Sequence, residues 1–352
     1  MIITCSLCGF STEVGALESC PSCASKFRKI NDIFYSLGDE HYNYADLSNQ
    51  EMSELIEDSK NQGWLRAVYN RFYEKNQFLY RIIADESRAD WQYLISLSEG
   101  ASILDVGAGW GTITTPLARS FKSVTAMDSS ISRLTFAKIR MEQENLNNVD
   151  FLCADILNHP LAEKQYDLVV FNGVLEWAGE SLTNEDPRTI QLKVLRNAQK
   201  LLKDDGCLYI GIENQYGFKY LVGEPDDHTG IQNITFLPRD EADSLMQARK
   251  GLGYRTYTYS IEGYKELLQQ TGFASVEFVY PTPSYKNITA ITPLASLEGI
   301  SYYLESIQSE FPQHSPEQVV RNLERVAVWT NTIHEFVSSY GIIARKGEKR
   351  EV

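Results

Sequence analysis

The sequence predicts an α/β protein built around a mostly parallel sheet, and two observations support this. Between residues 102 and 213, apolar runs of strand length alternate with helical patterns, which is typical of parallel strands joined by right-handed crossovers. In addition, the first apolar run leads directly into Gly107, Gly109 and Gly111. Glycines at such a position allow a ligand to approach the backbone closely.

The elements are predicted in the following order. Residues 37–63 are polar and are expected to be irregular, and 64–97 are expected to form helices because their apolar residues recur at helical spacing. We expect strands at 102–107, 123–128, 149–155, 167–172, 207–213, 276–279 and 341–346, and helices at 130–144, 187–202, 261–272 and from 315 onward. Ser130 suits a helix N-cap, and Pro187 suits a first helical turn.

The segment Asp105-Val-Gly-Ala-Gly-Trp-Gly111 and the carboxylate of Asp128 together predict a nucleoside site. Asp128 ends the second predicted strand, seventeen residues after Gly111, where it could accept hydrogen bonds from a pair of ribose hydroxyls. The glycine spacing is G-x-G-x-G, whereas dinucleotide sites use G-x-G-x-x-G. This difference disfavours a nicotinamide-dependent dehydrogenase.

With four later segments, these residues resemble class I S-adenosylmethionine-dependent methyltransferases. The later segments are Val124–Asp128, Phe151–Asp155, Tyr166–Gly173 and Gly206–Gly211. The resemblance runs continuously over residues 100–215 and resumes near the C-terminus. It implies a Rossmann-like sheet of seven strands with the last one antiparallel, S-adenosylmethionine as cofactor, and methyltransferase activity.

The resemblance also implies which residues hold the cofactor. Asp105 would reach its methionine end, Asp128 would bind the ribose and Asp155 the adenine amine, and the carbonyls of Asn172 and Gly173 would surround the sulfonium. A carboxylate that only caps a loop is the alternative for each acid. The implied set is Asp105, Gly107, Ala108, Gly109, Gly111, Asp128, Ser129, Asp155, Ile156, Asn172 and Gly173.

Two cysteine pairs predict a structural zinc site near the N-terminus. Cys5-x-x-Cys8 and Cys20-x-x-Cys23 are separated by eleven residues, and each pair can offer two thiolates to one tetrahedral ion. Two disulfides or a redox pair are the alternatives. The module resembles zinc ribbons that precede the methyltransferase fold in some enzymes, whereas Cys153 and Cys207 lie in predicted core strands.

The predicted organisation has three parts. Residues 1–36 form a zinc-binding knuckle module, 37–97 form helices that cover the active site, and 98–352 form the methyltransferase domain. Two insertions, 214–260 and 281–340, follow strands five and six and are expected to determine acceptor specificity.

The residues after strand four bear on the reaction. Asn172-Gly-Val-Leu-Glu-Trp177 lacks the Asn-Pro-Pro-Tyr pattern that indicates methylation of a base or amide nitrogen, which favours methylation of oxygen, or of an aliphatic amine or carbon. Segment 213–230 resembles bacterial methyltransferases associated with polysaccharides and glycosylated products, which implies a small or sugar-bearing acceptor.

His228 is the candidate general base, because histidine titrates near neutral pH. Asp227 or Asp226 would orient it, although a surface turn of the same composition is the alternative. Glu176 and Glu213 are further candidates, either as base or as ligands of Mg²⁺.

The net charge of −14 disfavours a nucleic-acid partner, since phosphate binding needs a cationic surface. No apolar run reaches the length of a membrane span and the N-terminus does not resemble a signal peptide, so a cytoplasmic protein is expected. Two other functions stay open: an RNA methyltransferase that docks through its zinc module, and a cofactor-binding partner subunit without catalysis. The sequence does not indicate an oligomeric state.

Overall fold

The structure, a computed structural model of the chain, describes residues 1–14, 17–37, 46–180, 184–307 and 315–347. The chain divides into two compact units. The first contains residues 1–171, 196–209 and those from Arg345 onward, and the second contains 172–195 and 210–344.

The first unit holds an α/β fold with a mostly parallel sheet, as the sequence predicts. Its strands are β1 (Ile2–Thr4), β2 (Ser11–Glu13), β3 (Lys29–Ile30), β4 (Ile33–Tyr35), β5 (Ser102–Val106), β6 (Ser123–Asp128), β7 (Val149–Cys153) and β8 (Tyr166–Asn172). The order β8-β5-β6-β7-β4-β3 forms the sheet, and β1 and β2 form a separate hairpin. The neighbours from β8 to β4 pair in parallel, and only β3 and β4 pair antiparallel.

Two strands of this sheet were not expected from the sequence. Phe34 and Tyr35 of β4 lie beside Leu152 and Cys153 of β7 in parallel register, so the residues just after the cysteine pairs extend the sheet. The full sheet order contains ten strands, so the expected count of seven is too low. The antiparallel direction expected for the last strand stays a prediction.

The helices of the first unit are α1 (Asn49–Gln62), α2 (Trp64–Phe72), α3 (Gln77–Ala84), α4 (Thr114–Ser120) and α5 (Ile131–Gln143), with a 3₁₀ segment at Glu86–Leu94. The expectation that 37–63 is irregular is wrong for α1, and residues 38–45 lie outside the described part. Ser48 and Glu51 form a capping box that starts α1, and the buried side chains Met52 and Leu55 attach it to the core formed with α2.

The second unit contains the segments predicted as insertions. Two elements, α6 (Pro187–Leu201) and β9 (Leu202–Glu213), have residues in both units. The elements that follow are α7 (Phe218–Leu221), α8 (Arg239–Lys250), α9 (Ile261–Gln270), β10 (Ser275–Ser284), β11 (Asn287–Pro293), α10 (Leu297–Ser306), α11 (Pro316–Trp329), α12 (Ile333–Phe336) and β12 (Ser339–Arg345). β10 and β11 form an antiparallel hairpin, and β12 follows β10 in the sheet order. The predicted helix after 315 is confirmed, with Ser315 as its cap.

A buried ion pair lies inside the second unit. Arg321 and Glu324 of α11 approach to 2.5 Å, and Tyr280 of β10 donates its hydroxyl to Glu324. Across the described ranges, every helix is too short or too polar to pass through a bilayer.

Candidate active site

The turn after β5 exposes one piece of backbone in otherwise buried surroundings. From residue 103 to residue 115, Gly107 is the single exposed residue. Its φ is 69° and that of Gly109 is 50°, in the left-handed region where glycine carries no steric penalty. A methyl group placed on Gly109 would approach only the Gly107 carbonyl, at 3.7 Å. The turn therefore fits the close approach of a ligand to its backbone.

Gly111 has a different role from the other two glycines. A Cβ at this position would lie 3.1 Å from the Ala137 Cβ and from the Met141 Cε of α5, and its φ is 76°. Glycine is thus needed here because α5 packs directly against the turn. The sequence reasoning placed Gly111 against the cofactor, whereas its tight contact is with α5.

Asp128 fixes the turn from the end of β6. Its Oδ2 accepts a hydrogen bond from the Gly109 N–H at 2.9 Å, and its Oδ1 accepts one from the Ser130 N–H at 2.7 Å. Both oxygens keep a second lone pair for a ligand hydroxyl. Ser129, between these residues, is half-buried, and its carbonyl accepts from the Cys153 thiol.

Asp105 is a second buried carboxylate beside the same turn. The Thr114 hydroxyl donates to its Oδ2 at 2.6 Å. Burial raises the pKa of Asp105 to about 7, and the charge of Asp128 acts in the same direction, against the Thr114 hydrogen bond and Arg88. Two carboxylates that disfavour each other's charge suit a ligand with a cationic group. Ala108, also in the turn, is buried.

Asp155 and Ile156 follow β7 in a tight turn. Asp155 accepts from the Leu157 N–H through Oδ1 at 2.7 Å, and the Ile156 carbonyl accepts from the Asn197 side chain at 2.9 Å. The first contact closes a local turn, as the alternative for a strand-end acid requires. An adenine contact for Asp155 stays a prediction.

Asn172 and Gly173 begin the second unit. The Gly173 N–H donates to the Gly211 carbonyl at 2.8 Å, with a φ of 76°. Both polar atoms of the buried Asn172 amide lack a hydrogen-bond partner. Such orphaned groups are rare because each costs free energy when buried, so they favour a ligand as the missing partner.

Three of the predicted catalytic residues meet in the second unit. The His228 Nε2 lies 3.8 Å from the Glu176 Oε1 and 3.7 Å from the Glu213 Oε2. All three side chains are nearly inaccessible, with exposed fractions of at most 2%. We call them the Glu–Glu–His cluster. The His228 side chain is therefore buried, although Asp227 and Gly230 of the same turn are exposed.

The carboxylates around His228 favour its protonated form. Burial alone would lower its pKa, but the Glu213 charge and the contacts with Asp226 and Glu176 outweigh burial and raise the pKa to about 10. A base must be neutral to accept a proton. The neighbouring carboxylates therefore favour the imidazolium form of His228, and its role as a general base stays a prediction.

Asp226, and not Asp227, faces His228. Its Oδ1 lies 3.4 Å from the His228 Nδ1. Asp227 instead pairs with Lys219 and with Lys286, and it accepts from the Tyr220 hydroxyl at 2.7 Å. The structure therefore does not support the role of Asp227 in orienting His228 that was expected from the sequence.

The sequence reasoning missed two neighbours of the cluster. Lys286 lies 2.5 Å from the Glu213 Oε1, and the Tyr285 hydroxyl donates to the same oxygen at 3.0 Å. Burial would raise the pKa of Glu213, but Lys286 and His228 outweigh it and lower the pKa. Burial raises the pKa of Glu176, with the Glu213 charge adding to the effect despite His228.

The four N-terminal cysteines form a second cluster, within the first unit. Cys5 and Cys23 have their sulfurs 3.8 Å apart, and Cys8 and Cys20 have theirs 3.6 Å apart. Sulfurs on a tetrahedral zinc are separated by about 3.8 Å, since each Zn–S bond is about 2.3 Å, whereas a disulfide needs about 2.05 Å. The donor set and spacing fit zinc.

The two cysteine loops repeat one backbone geometry. The Gly9 N–H donates to the Cys5 carbonyl, and the Ala24 N–H donates to the Cys20 carbonyl, each at 2.9 Å. Gly9 and Ala24 both have positive φ. Hydrogen bonds from Ser25 and from the backbone of Leu7 and Cys8 lower the pKa of Cys5 to about 6. A backbone hydrogen bond of Phe10 would lower the pKa of Cys8, but burial and the other three cysteines outweigh it and raise the pKa to about 11.

The segment that contains the glycine turn, Asp128 and Asp155 is similar to known methyltransferases. Residues 97–223 match the family model described as "Methyltransferase domain". An (S)-coclaurine N-methyltransferase of Thalictrum flavum subsp. glaucum is 29% identical over 32% of this chain and 29% of its own length. A ubiquinone biosynthesis O-methyltransferase of Coxiella burnetii is 29% identical over 35% and 48%. EEF1A lysine methyltransferase 2 of Danio rerio is 27% identical over 34% and 51%.

Among solved structures, phosphoethanolamine N-methyltransferase 1 of Haemonchus contortus, in complex with phosphoethanolamine and S-adenosylhomocysteine, has a TM-score of 0.45 at 12% identity, over 86% of this chain and 50% of that one. The chain spans about half or less of the length of these three curated relatives. Their acceptor atoms include nitrogen and oxygen. Residues 97–223 are thus similar to a methyltransferase domain.

Proposed function

We propose that this protein is an S-adenosylmethionine-dependent methyltransferase that methylates an oxygen of a small or sugar-bearing acceptor. The observation that carries the proposal is the exposed Gly107 backbone beside two buried carboxylates, within the part of the chain that matches a methyltransferase domain. When bound, the cofactor supplies an electrophilic methyl group on a sulfonium.

The residues of the first unit would bind and orient the cofactor. Gly107 and Gly109 leave room against the backbone, and Asp128 offers lone pairs to the ribose hydroxyls. Asp105 would face the cationic end, whose charge would stabilise its ionised form. Asp155 would serve the adenine amine.

The Glu–Glu–His cluster of the second unit would handle the acceptor's proton. A hydroxyl is a poor nucleophile until it loses its proton, because its own pKa lies far above neutral. Buried carboxylates and an imidazole are groups that can share such a proton. The absence of an Asn-Pro-Pro-Tyr pattern after Asn172 also favours oxygen over a base or amide nitrogen.

Two variants test this proposal with calorimetry and with labelled cofactor. Asp128→Ala should abolish binding of S-adenosylhomocysteine. Glu176→Gln should retain that binding while turnover of acceptors such as nucleotide-linked sugars and phenols is lost. If the wild type binds NADH and neither S-adenosylmethionine nor its demethylated product, the proposal is refuted.

We also propose that Cys5, Cys8, Cys20 and Cys23 hold one structural zinc ion. Their tetrahedral spacing and paired loop geometry support this proposal, and a module this small gains stability from a metal. Metal analysis of protein purified without added metal should find zinc, with one equivalent fewer in Cys20→Ser. Equal zinc content in both proteins would refute the assignment.

A further inference from the structure

We propose that Glu176, Glu213 and His228 bind one divalent transition-metal ion, of which Mn²⁺ is the type. The three side chains present one nitrogen and two carboxylate oxygens that all lie within 4.8 Å of one another. This inference goes beyond the proposed methyl transfer and does not depend on it, since it concerns binding of the ion alone.

The distances in the cluster suit a shared ion better than direct contact. The His228 Nε2 is 3.7 and 3.8 Å from the two carboxylate oxygens, which is longer than an N–H···O hydrogen bond. Two ligands that each lie about 2.1 Å from a common ion are separated by at most about 4.2 Å. The two separations from His228 fall below this limit, so one ion can reach His228 together with either glutamate. The three ligand atoms lie within 4.8 Å of one another, so a small adjustment of one glutamate would bring all three to the same ion.

Two of the carboxylate oxygens lack any hydrogen-bond partner although they are buried. They are the Glu176 Oε2 and the Glu213 Oε2, and the second is the oxygen that lies 3.7 Å from His228. Lys286 and Tyr285 contact the other Glu213 oxygen, Oε1. Glu213 therefore leaves one oxygen directed at the imidazole with no donor to satisfy it, as expected of a ligand whose ion is missing.

Asp226 places the imidazole in the orientation that a metal ligand needs. Its Oδ1 lies 3.4 Å from the His228 Nδ1, on the far side of the ring from Glu176 and Glu213. When a metal replaces the proton on Nε2, Nδ1–H can face this carboxylate. Metal-binding histidines commonly have a carboxylate behind them in this way, which fixes the tautomer and strengthens the ligand.

The charges around the site leave a deficit that a divalent cation would fill. Three carboxylates face the imidazole, those of Glu176, Glu213 and Asp226, and a fourth, Asp227, shares Lys286 with Glu213. Among the described residues, two ammonium groups pair with these carboxylates, those of Lys219 and Lys286. Once a metal has replaced the Nε2 proton and the imidazole is neutral, four carboxylates face two ammonium groups, and one divalent ion would balance the remaining two negative charges.

The donor set selects the kind of ion. Mg²⁺ and Ca²⁺ prefer oxygen ligands alone, whereas imidazole suits first-row transition metals. One histidine with two carboxylates combines a donor that suits Fe²⁺ or Zn²⁺ with donors that suit Mn²⁺, so it favours a divalent transition metal over the Mg²⁺ considered from the sequence. Mn²⁺ serves as the probe because it is paramagnetic. The four cysteines provide a soft sulfur site and would not compete for Mn²⁺.

Mn²⁺ titration of the zinc-loaded, full-length protein, followed by electron paramagnetic resonance, tests this inference. The wild type should bind one Mn²⁺ per chain, with electron spin-echo modulation from an imidazole nitrogen. Glu176→Gln should weaken binding at least tenfold, and His228→Asn should abolish the nitrogen modulation. Glu262→Gln, which alters an exposed glutamate paired with Lys265, and Cys20→Ser should both bind Mn²⁺ as the wild type does.

The variants need a check on folding because Glu176 and His228 are buried. Near-UV circular dichroism and the urea midpoint should show which variants retain the native fold. Binding of Mn²⁺ by the wild type tests the inference without any variant. A folded wild type that binds no Mn²⁺ would overturn the inference. So would equal Mn²⁺ affinity in the wild type and in a folded Glu176→Gln variant.

Discussion

The pKa of Asp105 leads to a specific pH dependence of cofactor binding. Burial raises this pKa to about 7 in the free protein, so the carboxyl is about one-tenth ionised at pH 6 and about nine-tenths ionised at pH 8. If the cationic end of S-adenosylhomocysteine requires the ionised form, its affinity should rise about tenfold over this range, or by about 1.4 kcal/mol. Asp105→Asn has no carboxyl to titrate and should lack the rise.

Calorimetric titrations at pH 6, 7 and 8 would measure this effect in both proteins. The ligand has titratable groups of its own, but they contribute equally to both, so the difference between the two pH profiles isolates Asp105. Thr114 can still donate to the amide oxygen of the variant, which keeps the local contact. Parallel pH profiles in the two proteins would refute the reasoning.

The same group predicts how stability depends on pH without ligand. A carboxyl whose folded pKa lies above its ordinary 3.8 stabilises the fold fully below that ordinary value, and the contribution is lost as the pH rises through about 7. The urea midpoint of the wild type should therefore fall relative to that of Asp105→Asn between pH 5 and pH 8. A constant difference would contradict the assigned pKa.

Three further substitutions have expected outcomes. Gly111→Ala should destabilise by about 1–2 kcal/mol for its positive φ and about 1–3 kcal/mol more for the close contact with α5. Gly251→Ala, at φ 69° in open space, should lose only the roughly 1–2 kcal/mol that the positive φ costs. Urea denaturation would measure the free energy of unfolding of both variants, and equal losses would contradict the packing argument. Arg321→Met should cost about 3–5 kcal/mol because Glu324 loses its buried partner, and Arg321→Met/Glu324→Leu should recover most of this; a double variant as unstable as the single one would count against the ion pair. Asp128→Asn should weaken binding of S-adenosylhomocysteine at least tenfold in calorimetry, since it removes a charged acceptor of the turn worth about 1.5–3 kcal/mol, and unchanged affinity would remove Asp128 from the site.

The glycine turn and the strands around it could be predicted because their causes are local. Strand, turn and strand-end carboxylate follow one another within about thirty residues, and each depends on the residue types at its own positions. The predicted strand at 123–128 coincides with β6. The capping box of Ser48 and Glu51 was also present in the sequence, but the polar composition around it suggested a loop.

The surroundings of His228 could not be predicted because the residues that form them are far apart in the sequence. The turn that contains His228 has the composition of an exposed loop, yet the His228 side chain is buried beside Glu176 and Glu213. Tyr285, whose hydroxyl donates to Glu213 of the Glu–Glu–His cluster, is 72 residues from Glu213 in the sequence. It lies at the turn of the hairpin formed by β10 and β11. No local pattern links such residues, so their association, and the pKa that results from it, depend on the tertiary fold.

The pairing of β4 with β7 gives the cysteine module a protective role. Without β4, the backbone of Leu152 and Cys153 would be free to hydrogen-bond to a strand of another molecule, and bare sheet edges of this kind promote aggregation. Because β4 begins ten residues after Cys23, loss of the proposed zinc ion would also loosen this cover. Chelation should then show itself first as self-association of the protein, before the central strands unfold.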